Sequence, residues 1–387
     1  MKTKLLPQSW KEVELGDILD YEQPNKYIIK GEILEDKSSN SIPVLTANKA
    51  FILGYTNEEE GIYDKLPVII FDDFTTDNKF VNFKFKIRSS AMKLLIPKTK
   101  EVDLKFIFFL IQTIKFNSTT HKRYYLSTYQ KIKINLPPLQ IQRQIVSILE
   151  KAEALKQKRE DADQLTKEYL QSVFYEMFGD PENNSKKYEI TTIGNYAKFQ
   201  GGFAFKSKDF INEGIKLVKI TNVHYNQLIW EDIDYLPKSY LEKYKDFVLK
   251  EGDLVLSMTR PIIKSLDSVK IVRITKKDLP CLLNQRVGRF IINKKYIHNI
   301  FLLYFCYSNY FKREVDKYCS TSLQPNISSS QIESIKIPLP PIELQQKFAS
   351  IVEEVEKLKE KQKQSKEELK IMFNSLMKQA FNGELVK

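Results

Sequence analysis

The chain has 387 residues, a formal net charge of +12, and 42% hydrophobic and 12% aromatic residues. This length exceeds one ordinary core and favours two domains, and the apolar content excludes a largely disordered chain. No apolar run reaches the roughly 20 residues of a membrane span, and the residues Met1–Pro7 lack the apolar region of a signal peptide, so we expect a cytoplasmic protein.

The basic excess favours a polyanionic partner, and nucleic acid is the first candidate. Charge alone is equally compatible with a basic protein that binds no nucleic acid. Cys281, Cys306 and Cys319 have no CxxC spacing and are predicted to be reduced, packed thiols. The three histidines are scattered along the chain, so we expect no zinc site.

The first domain is predicted to mix strands with helices. Short apolar runs bounded by turn residues predict strands at Ile42–Thr46 and Leu66–Phe71. Alternating apolar and polar residues predict a half-buried strand at Phe80–Ile87. Residues Val102–Ile114 are typical of a helix, and the polar, aromatic stretch Asn117–Tyr129 is predicted to be a loop.

A proline pair opens the first long helix, at Leu136-Pro137-Pro138, where proline is preset for the first helical turn. Apolar residues then recur at alternating spacings of four and three, which indicates the seam of a coiled coil about 58 Å long. The pattern ends at Phe178, with Gly179 as a C′ glycine and Pro181 as a stop. The predicted seam residues of this helix are Ile141, Ile145, Ile148, Leu155, Tyr169 and Val173.

The second half of the chain repeats this plan. Leu339-Pro340-Pro341 follows the first proline pair at a distance of 203 residues, and that register continues without a gap along a second long helix. Leu217–Asn222 and Gly252–Ser257 correspond to strands of the first domain. The openings of the two domains are offset by only 178 residues, so the first domain is the shorter one. The predicted seam residues of the second helix are Leu344, Phe348, Ile351, Val355, Leu358, Leu369, Met372 and Leu376.

Neither amphipathic helix buries its apolar stripe alone, so each needs a partner. Their equal length, and the polar interruptions of both seams at Arg159 and Gln362, favour antiparallel pairing. The alternative is that each helix covers its own domain. The predicted fold class is therefore α+β, with two related mixed α/β domains, an antiparallel coiled-coil spacer and an internal pseudo-two-fold axis. The predicted segments are 1–136, 137–181, 182–339 and 340–387.

Candidate nucleic-acid contacts lie in loops next to strand ends, where cationic, amide and hydroxyl side chains concentrate. Arginine and amide groups suit base edges, whereas lysine and hydroxyl groups suit phosphates. The run Asp72–Lys79 is equally typical of a solvated turn. The candidates of the first domain are Asn48, Thr75, Thr76, Lys79, Thr120, Lys122, Arg123 and Tyr124. Those of the second domain are Asn222, Arg260, Asn284, Gln285, Arg286, Ser322, Gln324 and Asn326.

Taken together, these features resemble the specificity (S) subunit of type I restriction–modification systems. The resemblance implies two target recognition domains, each reading half of an asymmetric bipartite double-stranded DNA target, and a helical spacer that sets the gap. It also implies that the spacer docks two modification (methyltransferase) subunits and, through them, restriction (translocase-nuclease) subunits. The resemblance rests on Leu136–Gln142, Leu339–Gln345, Phe178–Pro181, Phe381–Leu385, Gly252–Val255 and Asn284–Arg286.

The resemblance further implies that this chain performs no catalysis and binds no cofactor. S-adenosylmethionine is expected in the modification subunit, and ATP and Mg²⁺ in the restriction subunit. The sequence agrees, because it contains neither an amino-methylation motif of the Asn/Asp-Pro-Pro-Tyr/Phe kind nor a Walker P-loop. Two alternatives stay open: a stand-alone metal-dependent endonuclease using Asp72 or Asp73 with Asp103, and a coiled-coil scaffold that binds only proteins.

Overall fold

The computed structural model divides the chain into two compact units. The first unit combines Met1–Glu160 with Lys363–Lys387, and the second is Asp161–Gln362. Each long helix is shared between the two units. The four segments predicted from the sequence stay a prediction. No helix within the described ranges is long and apolar enough to cross a membrane. The structure describes residues 7, 9–38, 40–48, 50–114, 123–263, 268–319 and 325–386.

The first unit contains two small sheets. Its strands are β1 (Lys11–Glu14), β2 (Leu19–Glu22), β3 (Ile42–Leu45), β4 (Ile52–Thr56), β5 (Val68–Asp72), β6 (Asn78–Val81), β7 (Lys86–Ile87), β8 (Met92–Pro97) and β9 (Lys133–Leu136). One antiparallel sheet has the order β2-β8-β5-β6, and the other has the order β4-β3-β7, with β3 and β7 parallel. Strands β1 and β9 form a separate antiparallel pair. The single strand predicted over Phe80–Ile87 is wrong, because the chain bends after β6 and β7 joins the other sheet.

Helices cover one face of the first unit's larger sheet. They are α1 (Leu15–Ile18), α2 (Leu104–Thr113), α3 (Tyr124–Ser127) and α4 (Leu139–Phe178). Asp103 caps α2, and its Oδ1 accepts from the N–H groups of Lys105 and Phe106 at 2.9 and 3.1 Å. Phe106 and Phe109 are fully buried in the same core as Phe71 of β5. The helix predicted at Val102–Ile114 is therefore confirmed.

The second unit repeats this arrangement with different side chains. Its strands are β10 (Glu189–Thr192), β11 (Ala197–Gly201), β12 (Ile215–Val218), β13 (Tyr235–Leu236), β14 (Leu254–Ser257), β15 (Ile262–Ile263), β16 (Ser268–Val269), β17 (Ile271–Arg273), β18 (Cys281–Leu283), β19 (Val287–Ile292) and β20 (Lys336–Leu339). Its helices are α5 (Ile193–Tyr196), α6 (Tyr240–Lys243), α7 (Asn299–Cys306), α8 (Asn309–Cys319), α9 (Ser329–Ser334) and α10 (Ile342–Phe381).

The sheet topology of the second unit matches that of the first. The order β11-β19-β14-β17 corresponds to β2-β8-β5-β6, and β13-β12-β18 corresponds to β4-β3-β7. The parallel pair β12–β18 and the separate pair β10–β20 also have counterparts in the first unit. The predicted α+β class with two related mixed domains is confirmed.

In the second unit the long helices run antiparallel. The Phe348 ring, early in α10, lies 5.7 Å from the Phe174 ring and 5.4 Å from the Phe178 ring, both late in α4. Further along, Gln362 Nε2 donates to Thr166 Oγ1 at 3.1 Å. A part-buried amide–hydroxyl contact within an apolar seam helps to fix the register of two paired helices.

In the first unit the remaining stretches of the same helices also run antiparallel. Lys156 Nζ lies 4.5 Å above the Phe373 ring, and Glu160 forms an exposed ion pair with Lys366 at 3.9 Å. Exposed ion pairs contribute little to stability, so the apolar contacts dominate here. Leu149 and Ala152 of α4 are buried in one core with Phe373 and with Met377 and Ala380 of α10.

The buried seam differs in part from the predicted seam. The helices bury Leu149 where Ile148 was predicted, which is a shift of one residue, or about 100° around a helix. The true seam contains polar and small residues, so hydrophobicity alone misplaces it. Among the predicted residues, Ile145, Val173, Phe348 and Val355 are buried, and Ile141, Ile148, Leu344, Ile351, Leu369 and Leu376 are half-buried. The prediction is wrong for Leu155, Tyr169, Leu358 and Met372, which are 49%, 52%, 48% and 39% exposed.

A fully buried glutamine ties each long helix to its domain. In the first unit, Gln142 Oε1 accepts from the Asp103 N–H at 2.8 Å. Its Nε2 donates to the carbonyls of Glu101 and Pro137 at 3.0 and 2.8 Å. The glutamine at the end of the Leu-Pro-Pro stretch therefore satisfies three buried backbone groups at once.

The second unit has the same joint 203 residues later. Gln345 Oε1 accepts from the His298 N–H at 2.8 Å, and Nε2 donates to the carbonyls of Tyr296 and Pro340 at 2.9 and 2.8 Å. His298 stands where the first unit has Asp103, at the start of α7 instead of α2. The repeated stretch thus marks a repeated hydrogen-bonded joint.

Candidate nucleic-acid interface

A cleft in the second unit forms where three predicted contact segments meet. The N–H of Met258, just after β14, donates to the carbonyl of Arg286 at 2.8 Å, and its carbonyl accepts from the Ile327 N–H at 2.9 Å. Thr259 Oγ1 donates to Asn326 Oδ1 at 2.5 Å. These bonds bring Arg286 and Asn326 to the edges of one open cleft of about 360 Å³.

Glycines form the floor of this cleft. A Cβ added to Gly202 would lie 2.0 Å from the carbonyl oxygen of Asn284, so only glycine permits this backbone approach. At Gly201 the nearest atom to an added Cβ would be Met258 Sδ at 3.8 Å. The space above Gly201 is therefore open, and a larger side chain there would occupy the cleft.

Two arginines of the second unit have no side-chain hydrogen bond or ion pair among the residues that the structure describes. Arg260 and Arg286 are exposed, and both adopt left-handed backbone conformations, with φ of 48° and 64°. Non-glycine residues in this conformation are uncommon and concentrate at functional sites. The unit's other arginines form ion pairs: Arg273 with Glu356 at 2.6 Å, Arg289 with Asp253 at 3.1 Å, and Arg313 with Glu182.

Arg260 has a second cation beside it. Burial lowers the pKa of Lys270, and the nearby charge of Arg260 lowers this pKa further. Like charges gathered at one place repel each other and are stabilised by a bound anion. The pair is therefore suited to a phosphate group.

The backbone of the first unit makes the same bonds with different side chains. The Asp73 N–H donates to the Ala91 carbonyl at 3.0 Å, and the Asp73 carbonyl accepts from the Tyr124 N–H at 2.9 Å. Ala91 therefore stands where the second unit has Arg286. Arg123, next to Tyr124, is exposed and has no ion pair within the described ranges.

A buried ion pair lies beneath Arg123 in the first unit. Lys93 and Asp73 are each 1% exposed, with 3.7 Å between Nζ and Oδ2. Lys93 Nζ also donates to Gln23 Oε1 at 3.0 Å, and Asp73 Oδ1 accepts from the Tyr125 N–H at 2.8 Å. Burial lowers the pKa of Lys93; the Asp73 carboxylate opposes this shift and the Arg123 charge adds to it.

One member of this polar cluster, Gln23, stands at the position of a glycine that lines the cleft of the second unit. The strand registers place Gln23 in the position of Gly201, and Lys93 in that of Gly288. The two units thus share one backbone arrangement but differ in their exposed side chains and in the residues beneath them.

Two predicted contact residues are wrong, because their side chains are buried. Asn222 is 1% exposed, and its Oδ1 accepts from the Lys219 N–H at 2.9 Å. Its Nδ2 donates to the carbonyls of Ile229 and Asp232, both at 3.0 Å. Tyr124 is 5% exposed and belongs to the hydrophobic core of the first unit. Asn222 stabilises a turn, as asparagine often does.

The other predicted contacts of the first unit lie on connecting segments between strands, except Lys79, which lies on β6. Asn48 and Thr75 are exposed, Thr76 is half-buried with a left-handed φ of 63°, and Lys79 Nζ lies 5.9 Å from the centroid of the Phe51 ring. In the second unit, the exposed Gln285 and half-buried Asn284 precede Arg286. The predicted residues Thr120, Lys122, Ser322 and Gln324 fall outside the described residues.

Sequence reasoning missed the buried and half-buried lysines. Lys93 lies within the apolar run Met92–Leu95, and Lys270 lies between Val269 and Ile271. A single lysine within an apolar strand is the signal that would have identified both, because lysine is rarely buried without a partner or a function.

The carboxylates of the nuclease alternative have structural roles. Asp72 Oδ1 accepts from the N–H groups of Phe74 and Thr75 at 2.8 and 2.9 Å. Asp73 pairs with Lys93, and Asp103 caps α2. Across the part of the chain that the structure describes, no group of three or more metal-ligating side chains was found.

The family model of the type I restriction modification DNA specificity domain matches residues 7–164 and 185–370 of this chain. The chain belongs to this family. The resemblance predicted from the sequence, to a specificity subunit with two target recognition domains, is confirmed. We therefore refer to the mixed domains of the two units as the first and second recognition domains.

Relatives of known function match most of the chain. The type I restriction enzyme EcoR124I/EcoR124II specificity subunit of Escherichia coli is 33% identical over 373 residues, covering 89% of this chain and 86% of that one. The MjaVIII specificity subunit of Methanocaldococcus jannaschii is 28% identical over 407 aligned positions, covering 98% and 94%.

Solved structures share the fold at low identity. The type I restriction–modification S subunit from M. genitalium aligns with a TM-score of 0.59 and 13% identity over 98% of each chain. A chain from a study of the assembly and conformational transition of the type I system aligns with a TM-score of 0.58 and 18% identity, covering 99% of this chain and 100% of that one.

Proposed function

We propose that this specificity subunit reads an asymmetric bipartite target in double-stranded DNA. Each recognition domain contacts one half of the target, and the paired helices set the gap. The observation that carries this proposal is the repeated backbone frame, which presents Arg123 in the first domain and Arg260, Arg286 and Asn326 in the second. Different reading groups on one frame suit two different half-sites, and the net charge of +12 suits a polyanion.

In this proposal the subunit performs no catalysis. S-adenosylmethionine is bound by the modification subunits, and ATP and Mg²⁺ by the restriction subunits. Support comes from the structural roles of Asp72, Asp73 and Asp103, and from the resemblance. Because such a complex must reach DNA inside the cell, the proposal assigns it to the cytoplasm.

In this proposal the modification subunits dock on apolar residues of the two long helices that are exposed instead of buried between them. In the first unit, Leu155 and Met372 are 49% and 39% exposed; in the second unit, Tyr169 and Leu358 are 52% and 48% exposed. Leu155 and Leu358 are separated by 203 residues, as are Tyr169 and Met372, so each unit carries the same surface. Exposed apolar groups of this kind mark protein interfaces, and two equivalent surfaces suit two copies of one partner.

The DNA proposal is tested by expressing the chain with its cognate modification subunit and sequencing the host methylome. A split, asymmetric methylated motif is expected. Exchange of residues 188–335 for those of another specificity subunit should change one half of the motif only. Absence of any split motif in the presence of an active modification subunit would contradict the proposal.

The spacer is tested by inserting one heptad after Thr166 of α4 and one before Gln362 of α10, at positions that face each other in the antiparallel pair. This insertion preserves the seam, so we expect a longer gap with both half-sites unchanged. A change in the bases that are read would refute the role of the helices as a spacer.

The docking surface is tested by the double substitution Leu155→Glu and Met372→Glu. We expect the purified complex to contain one modification subunit per specificity subunit instead of two. The control Gln144→Glu changes an exposed position on the same helix and should retain both. Retention of two modification subunits by the double variant would exclude this surface.

A further inference from the structure

The two exposed arginines of the second recognition domain, Arg260 and Arg286, have different surroundings. We propose that Arg286 reads a guanine in the second half-site. The inference rests on the proposed DNA function and adds the reading residue and the base. It also assigns Arg260 to the phosphate backbone.

Arg286 is held in place by its own turn. Its carbonyl accepts from the Met258 N–H at 2.8 Å. On either side, the Gln285 N–H donates to the Phe203 carbonyl at 2.8 Å, and the Val287 N–H donates to the Asn284 carbonyl at 3.3 Å. Base reading requires a side chain whose origin is fixed to well under an ångström, because both hydrogen bonds to the base must form together.

The lining of the cleft suits the edge of a base. Thr259 and Asn326 contribute a hydroxyl and an amide to the lining, Met258 and Ile327 contribute apolar surface, and Arg286 lines the same cleft. A guanidinium bonds the O6 and N7 atoms of guanine through two parallel hydrogen bonds. A phosphate needs no such mixture of polar and apolar neighbours.

Arg260 has different surroundings. It is absent from the lining of the cleft, and its charge lowers the pKa of Lys270. Its N–H donates to the Pro325 carbonyl at 2.8 Å, which fixes the backbone beside the cleft. A cationic pair at the rim contacts any sequence equally well, because each nucleotide carries a phosphate.

The first recognition domain has no equivalent of Arg286. Ala91 occupies that position, and Gln23 stands where Gly201 lines the cleft of the second domain. The effect of an Arg286 substitution is therefore confined to the second half of the target.

The first experiment compares the methylomes of cells that express the modification subunit with the wild-type chain, with Arg286→Ala, or with the matched control Arg260→Ala. Arg286→Ala should relax one G·C position in one half of the motif and leave the other half unchanged. Arg260→Ala should lower methylation uniformly without changing the motif.

The second experiment measures binding and does not require an active variant. The purified complex is titrated with duplexes carrying 7-deazaguanine at one guanine of the second half-site at a time. The wild-type complex should bind about tenfold to a hundredfold more weakly at one of these positions. Arg286→Ala should bind all of these duplexes equally well. Arg260→Ala should retain the preference, but the slope of its log affinity against log salt concentration should fall by about one, as expected for the loss of one phosphate contact.

A further variant keeps the arginine and fills the cleft. Gly201→Leu has room for its Cβ, so the melting temperature should stay unchanged while discrimination at the same guanine is lost. If the wild-type complex methylates a split motif but Arg286→Ala keeps full discrimination at every guanine, the assignment is overturned and the DNA function stands. If the wild-type complex methylates no split motif, the proposed function itself fails.

Discussion

The buried glutamine joints make a quantitative prediction. Gln345 is fully buried and bonds three backbone groups, namely the His298 N–H and the carbonyls of Tyr296 and Pro340, at 2.8 to 2.9 Å. Gln345→Ala removes all three bonds and leaves a void that is too confined to supply three replacement partners. Each lost bond that leaves a buried group unsatisfied costs about 1–1.5 kcal/mol, so the expected loss is roughly 3–5 kcal/mol.

The matched variant Gln142→Ala should show the same loss in the first unit, because its three bonds have nearly the same lengths. The control Gln346→Ala replaces the neighbouring exposed side chain and should change stability by less than about 0.5 kcal/mol.

Urea unfolding followed by circular dichroism measures the change in the free energy of unfolding. Hydrogen exchange measured by mass spectrometry locates it, because the His298 amide loses its acceptor and should exchange faster in Gln345→Ala. If Gln345→Ala is as stable as the Gln346→Ala control, the joint does not stabilise the fold and the reasoning is refuted.

Three further predictions concern single positions. Hydrogen bonds from Lys86 and from backbone N–H groups lower the pKa of Glu58 to about 2. The ionised carboxylate therefore stabilises the fold fully above its ordinary pKa of 4.5, and this stabilisation is lost as the pH falls towards 2. Glu58→Gln should flatten the acid-unfolding curve between these two pH values. Burial lowers the pKa of His298 below its ordinary value of 6.5, so the protein is most stable above pH 6.5 and loses stability as the histidine is protonated. His298→Asp introduces the residue that the first unit has at the equivalent position, Asp103. This variant should remove the loss of stability in melting curves recorded below pH 6.5. Gly179 has a φ of 75° and an added Cβ would lie 2.5 Å from Ser185 Oγ, so Gly179→Ala should lower the free energy of unfolding by at least about 1 kcal/mol in urea titrations.

The repeated Leu-Pro-Pro stretch shows which features of the fold can be predicted from local sequence. Its prolines predicted the helix starts, and the observed helices begin at Leu139 and Ile342. They end at Phe178 and Phe381, each followed within two residues by a glycine with positive φ. Proline and glycine act through their own backbone geometry, so these boundaries depend little on distant residues.

The choice of helix face could not be predicted in the same way. Leu155 and Leu358 fit an apolar seam by spacing, yet both are about half exposed, whereas the small Ala152 is buried. Burial depends on which faces approach closely, and a small side chain permits an approach that a large one prevents. Gln142 is buried because two of its three partners, the Glu101 carbonyl and the Asp103 N–H, come from a segment about 40 residues away.

The sequence by itself determined the duplication, its register of 203 residues, the α+β class and the family, because these depend on local backbone preferences and on repetition along the chain. The tertiary structure alone decided which contact residues share a site. Met258, Arg286 and Ile327 meet through backbone hydrogen bonds between segments that are far apart in sequence. The same bonds in the first unit place Asp73 over a buried lysine, and no local pattern specifies a pairing between such distant segments.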